Sequence, residues 1–355
     1  MAAIVLALAA SCSTKESAFD KGVLALEEEN YDLAITQFSE AIRLNPEYAE
    51  AYCNRGNAHL DSRDIDKAIS DYTEAVRLNP QFSGAYYCRG NAYHNKGDYD
   101  AAIADYGAAI RINPKSASAY NNRGNTYRDK GAHDKAIADF TEAIRLKPKL
   151  AEAYYNRGLA YDKKSEFGKA IEDYTEAIRL APKLAIAYSN RGLAHAEEGR
   201  FDKAMEDYTE AIRLDPKRPI AYVNRGTAWE TKGEFDKAIE DYTEAVRLNP
   251  DFAEAYYDRS LTYVKKGEFD RAITDCNTAI RVNPRYAGAY HVRGAVYHMT
   301  GEFDKAVADF TELIRLAPEY AGAYYARGIA HRDNGDQAKA EADFAKAKEL
   351  GYEPK

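Results

Sequence analysis

Cysteine is scarce in this 355-residue chain, and its spacing excludes two common structural roles. The four cysteines lie at positions 12, 53, 88 and 276, and no two are spaced as Cys-x-x-Cys. They are too few and too scattered for a disulfide scaffold, and they lack the paired spacing of zinc ligands. The sequence therefore predicts neither a metal site nor a redox site.

Long apolar runs and an excess of positive charge are also missing. No stretch approaches the roughly 18 consecutive apolar residues of a membrane-spanning helix. The 49 Lys and Arg residues are outnumbered by 57 Asp and Glu, for a net charge of −8. A basic surface for nucleic-acid phosphates is therefore not expected.

The motifs of common enzyme classes are absent as well. The chain has no Gly-x-Ser-x-Gly, phosphate-binding loop, His-Glu-x-x-His or dinucleotide-binding glycine pattern. Catalysis requires converging groups with shifted pKa values in an enclosed pocket. We therefore expect no enzymatic activity and no cofactor.

What the chain does have is a strict repeat of proline. Nine of its eleven prolines are spaced 34 residues apart, at positions 46, 80, 114, 148, 182, 216, 250, 284 and 318. A period of this length is typical of stacked helical repeats. With each proline at position 32 of its unit, ten repeats follow an N-terminal segment of residues 1–14. The repeats occupy residues 15–354 as 15–48, 49–82, 83–116, 117–150, 151–184, 185–218, 219–252, 253–286, 287–320 and 321–354.

Each repeat reads as two helices separated by a break. Apolar residues recur at helical spacing on both sides of that break, as in residues 151–184. In seven repeats the break carries a glycine suited to the left-handed conformation that ends a helix: Gly97, Gly131, Gly199, Gly233, Gly267, Gly301 and Gly335. An aspartate three residues later is expected to cap the second helix, at Asp100, Asp134, Asp202, Asp236, Asp270 and Asp304. The chain is thus predicted to be all-α.

Positions 7 and 23 of the repeat carry matched charges. In repeats 2–10 position 7 is Arg and position 23 is Asp, whereas repeat 1 has Lys21 and Gln37 instead. This joint occurrence predicts an Arg–Asp ladder between the two helices, formed either by architectural salt bridges or by groups that contact a ligand directly.

The packing residues resemble those of the tetratricopeptide repeat. Most repeats share a pattern of small and aromatic residues, represented in 151–184 by Tyr154, Gly158, Tyr161, Ala170, Tyr174, Ala177 and Pro182. The Arg at position 7 departs from the family pattern, which usually has Leu there. The resemblance implies a right-handed superhelical solenoid of antiparallel helix pairs. It also implies a non-enzymatic scaffold that binds an extended peptide or a partner helix in a concave groove built by the first helices.

The resemblance places positions 2, 5, 6, 9, 12 and 13 in that groove. Position 6 carries a row of amides, Asn54, Asn122, Asn156, Asn190 and Asn224, which Asp258 continues. An amide offers both a donor and an acceptor to a peptide backbone, and the row is similar to the groove of protein O-GlcNAc transferases. The alternative is that these amides bond neighbouring helix backbone or water.

The character of the predicted groove changes along the chain. Position 9 is Asn57, Asn91 and Asn125 first, then Leu159 and Leu193. With Ile186, Ile220 and Val223, these two leucines form an apolar strip that predicts either a protein contact or packing between turns of the superhelix. Tyr87, Tyr155 and Tyr257 at position 5 offer rigid amphipathic contacts. The groove positions of repeats 2–10 hold ten acidic and four basic residues, which favours a neutral to basic partner.

Residues 1–12 resemble a bacterial lipoprotein signal. Ala9-Ala10-Ser11 precede Cys12, although the segment lacks the usual Lys or Arg. Lipidation of Cys12 would anchor the chain to the bacterial cell envelope, its one predicted membrane contact. The alternative is a frayed apolar terminus on a cytoplasmic protein. Two other functions stay open: an envelope lipoprotein that carries a small molecule or assists a transporter, and a self-assembling architectural module.

Overall fold

The computed structural model describes residues 14–353, and these residues form twenty α-helices joined by short connections. The chain divides into two compact units, of which unit 1 ends at Pro182 and unit 2 begins at Lys183. Among the described residues, no helix combines the length and the apolar character needed to cross a membrane.

The helices come in pairs, one pair for each predicted repeat. Unit 1 contains α1 (Lys15–Glu27), α2 (Tyr31–Leu44), α3 (Ala49–Asp61), α4 (Ile65–Leu78), α5 (Ser83–Lys96), α6 (Tyr99–Ile112), α7 (Ala117–Asp129), α8 (His133–Leu146), α9 (Ala151–Lys163) and α10 (Phe167–Leu180). Unit 2 contains α11 (Ala185–Glu197), α12 (Phe201–Leu214), α13 (Pro219–Thr231), α14 (Phe235–Leu248), α15 (Ala253–Lys266), α16 (Phe269–Val282), α17 (Ala287–Met299), α18 (Phe303–Leu316), α19 (Ala321–Asp333) and α20 (Gln337–Glu349).

Stacking within each unit follows the repeat order. The two helices of a pair pack on each other, and each second helix contacts the first helix of the next pair in the same unit. First helices of neighbouring pairs also contact one another within each unit. An all-α solenoid of tandem helix pairs is therefore confirmed, and the first helices of each unit share one face.

The break between the helices of a pair is a left-handed residue. All seven predicted glycines have positive φ, from 71° at Gly199 to 88° at Gly335. The other three pairs place Glu29, Arg63 and Ser165 in this conformation, with φ of 55°, 67° and 58°. Left-handed geometry is thus required at every break, and three repeats accept the strain of a side chain there.

The predicted caps of the second helices were wrong by two residues. Asp100 is the second residue of α6, and the cap is Asp98, whose side chain accepts a hydrogen bond from the Ala101 N–H at 3.2 Å. Asp134 occupies the same place in α8 and pairs instead with Lys164 of the next repeat at 2.6 Å. The aspartate at this position therefore links neighbouring repeats, and its charge also favours the helix N-terminus.

In nine of the ten pairs the core is an aromatic ring set against a glycine, whereas repeat 8 has Ser260 and Cys276 at these two positions. The ring of Phe140 is fully buried, and a Cβ added at Gly124 would lie 2.7 Å from its Cε1 atom. Tyr174 is buried against Gly158 in the same way, with 2.7 Å to its Cε1 atom. Glycine at position 8 is needed because any side chain would occupy the volume of the ring.

The Arg–Asp ladder is confirmed as an architectural feature. In all nine repeats that carry the pair, the guanidinium donates two hydrogen bonds to the aspartate, as from Arg157 to Asp173 at 2.8 and 2.7 Å. The third nitrogen of Arg157 donates to Thr141 on the preceding pair at 3.0 Å. Its guanidinium also lies over the Tyr154 ring, 5.8 Å from the centroid. One arginine thus ties its own pair to the pair before it.

Candidate binding face

The face formed by the first helices, here called the first-helix face, carries the residues singled out by the sequence. In unit 1 it is rich in amides, and these amides have unequal surroundings. Asn57 accepts a hydrogen bond from the Tyr72 hydroxyl at 2.8 Å, and Asn91 accepts one from the Tyr106 hydroxyl at 2.7 Å. Both tyrosine rings are buried, so these two amides satisfy hydroxyl groups of the core.

Asn122 is held in a network that joins neighbouring repeats. Its Nδ2 atom donates to the Asn91 Oδ1 at 2.9 Å and to the Tyr87 hydroxyl at 3.0 Å. Two predicted amides and one predicted tyrosine therefore meet on this face. The network borders a cavity of about 310 Å³, lined by Leu60, Asn91, His94, Asn95, Tyr106, Asn122 and Asn125. We call this the amide cavity.

Asn125 presents an unused acceptor at the amide cavity. Its Oδ1 atom is enclosed and has no hydrogen-bond partner. The reason lies in the facing core residue: repeats 2 and 3 have Tyr72 and Tyr106 at position 24, whereas repeat 4 has Phe140, which has no hydroxyl. An enclosed acceptor without a donor lowers the stability of a folded protein by about 1–3 kcal/mol. A ligand N–H or a water molecule that reached it would recover part of that cost.

The other position-6 amides of unit 1 are used internally. Asn54 donates to the backbone carbonyl of Glu50 on its own helix at 2.9 Å, as in the alternative stated above. Asn156 is buried, donates to Asn121 at 3.3 Å and accepts from Arg128 at 3.1 Å. The row is therefore not a uniform ladder of free amides.

Unit 2 continues the row differently. Asn190 is half-buried, and the Nδ2 atom of Asn224 is enclosed without a partner. Asp258 is half-buried, and burial together with the charges of Glu254 and Glu230 raises the pKa of its carboxyl to about 7. At position 6, unit 2 thus offers an unused donor and a carboxylate that is costly to ionise.

Position 5 contributes mainly to packing. The Tyr87 ring lies 5.9 Å from the Tyr106 ring, and Tyr155 lies at the same distance from Tyr174. Tyr257 packs against Tyr286 at 5.2 Å. Val223 was predicted to be exposed, but it is only 4% exposed because it packs with Tyr242 in a core cluster. Tyr87, Tyr155 and Val223 therefore support the core ring of their own repeat, whereas Tyr257 packs against Tyr286 because repeat 8 has Cys276 in place of that ring.

The remaining members of the predicted apolar strip differ in exposure. Leu159 in unit 1 is half-buried, as is Ile186 in unit 2. Leu193 and Ile220 in unit 2 are 41% and 40% exposed, and both are on first helices that contact each other. Of the predicted apolar strip, only these two side chains are exposed in unit 2.

Charges at positions 12 and 13 tie neighbouring first helices together. His94 pairs with Asp129 at 3.1 Å in unit 1, and His298 pairs with Asp333 at 2.8 Å in unit 2. Lys265 pairs with Glu230 in the same arrangement. Sequence reasoning counted Asp129, Asp333, Glu230 and Lys265 as groove charges, but their pairing partners lie one repeat away and become evident only when the helices are stacked.

The described residues show no group of His, Cys, Asp or Glu that could hold a metal ion. Cys53 and Cys276 are buried free thiols, and Cys88 is a half-buried one. Cys53 and Cys88 lie in one core cluster, and burial raises the pKa of the Cys276 thiol to about 11. Cys12 lies outside the described residues.

The geometry defines a class of protein, a helical-repeat solenoid in which the first helices of each unit present one surface. Family models described as tetratricopeptide repeat match residues 19–82, 71–104, 151–184, 185–218 and 299–352, and models described as TPR repeat match 90–128, 124–165, 231–267 and 261–301. The chain belongs to the tetratricopeptide repeat family. Proteins of this family are in general non-catalytic scaffolds for protein–protein interaction, and this chain has their architecture.

Solved structures share the fold at low sequence identity. The C-terminal part of a TPR repeat-containing protein from Cytophaga hutchinsonii is 20% identical, with 68% of this chain and 98% of that chain covered and a TM-score of 0.57. A tetratricopeptide repeat protein from Parabacteroides merdae is 20% identical, with 70% and 98% covered and a TM-score of 0.55. PilF of Pseudomonas aeruginosa is 21% identical, with 57% and 92% covered and a TM-score of 0.51. No curated protein sequence matches the chain significantly.

Proposed function

We propose that this chain is a non-enzymatic scaffold whose first-helix face holds an extended peptide or a helix of a partner protein. The observation that carries this proposal is the amide cavity of unit 1. Its lining supplies the unused Asn125 acceptor beside amides already ordered by Tyr87 and Tyr106. Ordered amides lose little side-chain entropy on binding and match the donors and acceptors of a peptide backbone.

The charge of the face supports a neutral to basic partner. Ten acidic residues against four basic ones at the groove positions favour approach of such a segment, mainly through association rate and selectivity. The Lys265–Glu230 and His298–Asp333 pairs reduce the free charge without removing its sign.

The amide cavity gives the first prediction. A library of random twelve-residue peptides displayed on phage would be selected on the full chain, and selected peptides resynthesised for affinity measurement. We expect the Asn122→Ala/Asn125→Ala variant to weaken their binding at least tenfold, because the network and the unused acceptor are both lost.

Asn54→Ala provides the matched control for that experiment. It removes an amide from the same repeat position, but this amide bonds its own helix backbone, so the affinity should stay within twofold of the parent. Circular dichroism establishes that both variants fold. Equal binding by the double variant and the parent would contradict a role for the amide cavity.

We also propose that Cys12 carries a lipid that anchors the chain to the bacterial cell envelope. Support comes from the small residues Ala9-Ala10-Ser11 directly before Cys12. Intact-mass measurement after bacterial expression should show loss of residues 1–11 and addition of a diacylglyceryl group. Cys12→Ser should keep the full mass, and an unmodified parent chain would contradict the proposal.

A further inference from the structure

The first-helix face of unit 2 carries an exposed apolar pair. Leu193 on α11 and Ile220 on α13 are the exposed Leu, Ile or Val side chains among the described residues of unit 2, at 41% and 40%, and Met299 on α17 is 52% exposed. Helices α11 and α13 contact each other. Ile220, Asn224 and Thr227 follow at spacings of four and three residues and so lie along one side of α13. Aliphatic side chains exposed on neighbouring helices can lose contact with water when a protein segment covers them.

Acidic groups lie one repeat further on. Within residues 14–353 no hydrogen bond or ion pair engages the Asp258 carboxylate on α15. Glu254 is exposed one turn earlier on α15, and Glu230 reaches across from α13 to the Thr262 hydroxyl at 3.1 Å. Lys265 neutralises Glu230. Negative charge at Asp258 and Glu254 is therefore uncompensated by neighbouring cations.

Burial makes the Asp258 carboxylate a strong site for a cation. The side chain is half-buried, and its pKa is raised to about 7 by burial and by Glu254 and Glu230. An ionised carboxylate in such surroundings gains more from an incoming positive charge than an exposed carboxylate does, because solvent screens the pair less. We call Leu193, Ile220, Glu230, Glu254 and Asp258 the acidic–apolar surface.

The helix arrangement sets the spacing that a ligand must have. Neighbouring packed helices lie about 8–10 Å apart, which places Asp258 roughly 10–20 Å from the apolar side chains on α13 and α11. An extended chain advances about 3.3 Å per residue. A single segment therefore reaches both parts of the surface when its two contact residues are about three to six residues apart.

We propose that the acidic–apolar surface binds a segment of a partner protein in which a Lys or Arg lies about three to six residues from an aliphatic side chain. The cation pairs with Asp258, and the aliphatic side chain covers Leu193 and Ile220. This inference rests on the proposed function, because it assumes that the first-helix face binds a protein segment, and it assigns the chemistry of that segment.

Binding at this surface should weaken on acidification through pH 7, because protonation of Asp258 removes the charge that pairs with the cation. The titratable groups that face Asp258 are Glu254 on α15, Glu230 on α13 with its partner Lys265, Tyr242 on α14, and Tyr257 and Tyr286. Burial raises the pKa of Tyr286 to about 12. Asp258 is thus the group expected to titrate between pH 6 and pH 8.

The test is a selection of random displayed dodecapeptides on the full chain and on three variants. Peptides selected on the Asn122→Ala/Asn125→Ala variant, from which peptides held at the amide cavity are lost, should contain Lys or Arg three to six residues from Leu, Ile or Val. Asp258→Asn should weaken a resynthesised peptide of this kind at least tenfold at pH 8 and abolish the loss of affinity between pH 8 and pH 6. Leu193→Ser/Ile220→Ser should weaken binding of the same peptide to a similar extent at pH 8 and at pH 6. Replacing the cation of the peptide by Gln should have the same effect as Asp258→Asn.

The third variant separates this inference from the proposed function. Asn122→Ala/Asn125→Ala leaves the acidic–apolar surface intact and should not change the cation preference. If selected peptides lack the spaced cation, or if Asp258→Asn binds them as the parent does, the inference is overturned. In that outcome, loss of binding in the Asn122→Ala/Asn125→Ala variant would still support the proposed function, whereas failure to select any peptide on the parent would overturn both.

Discussion

Asp173→Ala should destabilise the chain by about 3–5 kcal/mol, because it leaves the Arg157 guanidinium among packed helices without its carboxylate. The two side chains are only 19% and 6% exposed, and two hydrogen bonds of 2.8 and 2.7 Å join them. The Asp173 carboxylate also raises the pKa of Arg157. Urea denaturation followed by circular dichroism measures the loss.

Two further variants show that the cost comes from the unpaired charge. Arg157→Met/Asp173→Leu removes both partners. Its free energy of unfolding should fall much less than that of Asp173→Ala, because an apolar pair of similar volume needs no counter-charge. The matched surface control is Glu176→Ala, which breaks a bidentate pair with Arg179 whose side chains are 65% and 32% exposed. That change should reduce the free energy of unfolding far less than Asp173→Ala does, because solvent screens an exposed ion pair. Equal losses for Asp173→Ala and Glu176→Ala would contradict the architectural role of the ladder.

Phe140→Ala should also cost about 3–5 kcal/mol, because it empties a fully buried aromatic site. The ring lies where a Cβ at Gly124 of α7 would be, and it shares a core cluster with Ala160 of α9 in the next repeat. Neighbouring repeats stabilise one another, so hydrogen exchange should rise in repeats 3 and 5 as well as in repeat 4. Protection lost only within α7 and α8 would contradict this coupling.

A change on the other side of the same contact provides the control. Gly124→Ala alone should cost about 1–3 kcal/mol, since the added methyl group would lie 2.7 Å from the Phe140 Cε1 atom. When Gly124→Ala is combined with Phe140→Leu, the added methyl group enters a site that the smaller side chain has partly vacated. The free energy of unfolding of the double variant should therefore fall by less than the sum of the two single changes. Additive losses would show that glycine and ring do not share one volume.

The sequence was a reliable guide wherever one repeat contains the whole interaction. The Arg157–Asp173 pair and the Gly158–Tyr174 contact both join the two helices of one hairpin, so a constant spacing of 16 residues reveals each of them. The left-handed glycines could be predicted for the same reason, because the break between the two helices lies within one hairpin. Repetition makes such patterns visible by showing which residue types vary together.

Sequence reasoning was weaker where a side chain depends on the neighbouring repeat. Asn54, Asn122 and Asn224 share position 6, yet one bonds its own helix, one bonds Asn91 and Tyr87, and one has an enclosed amide without a partner. The spacing within a repeat does not distinguish these outcomes, because the residues that surround each amide differ from one repeat to the next. The misplaced caps have a different origin, since each second helix begins earlier than the sequence indicated and Asp134 therefore lies inside α8.

The sequence by itself determined the repeat length, the helical hairpin and the paired charges of this protein, because a 34-residue period and fixed intra-repeat spacings encode interactions within each hairpin. Only the tertiary structure decided which polar groups stay available for a ligand. Stacking of successive first helices uses some amides and carboxylates and leaves others, such as the Asp258 carboxylate, without a partner. The physical reason is that a polar group is satisfied by whatever lies within about 3 Å of it, and across a stack that neighbour belongs to another repeat.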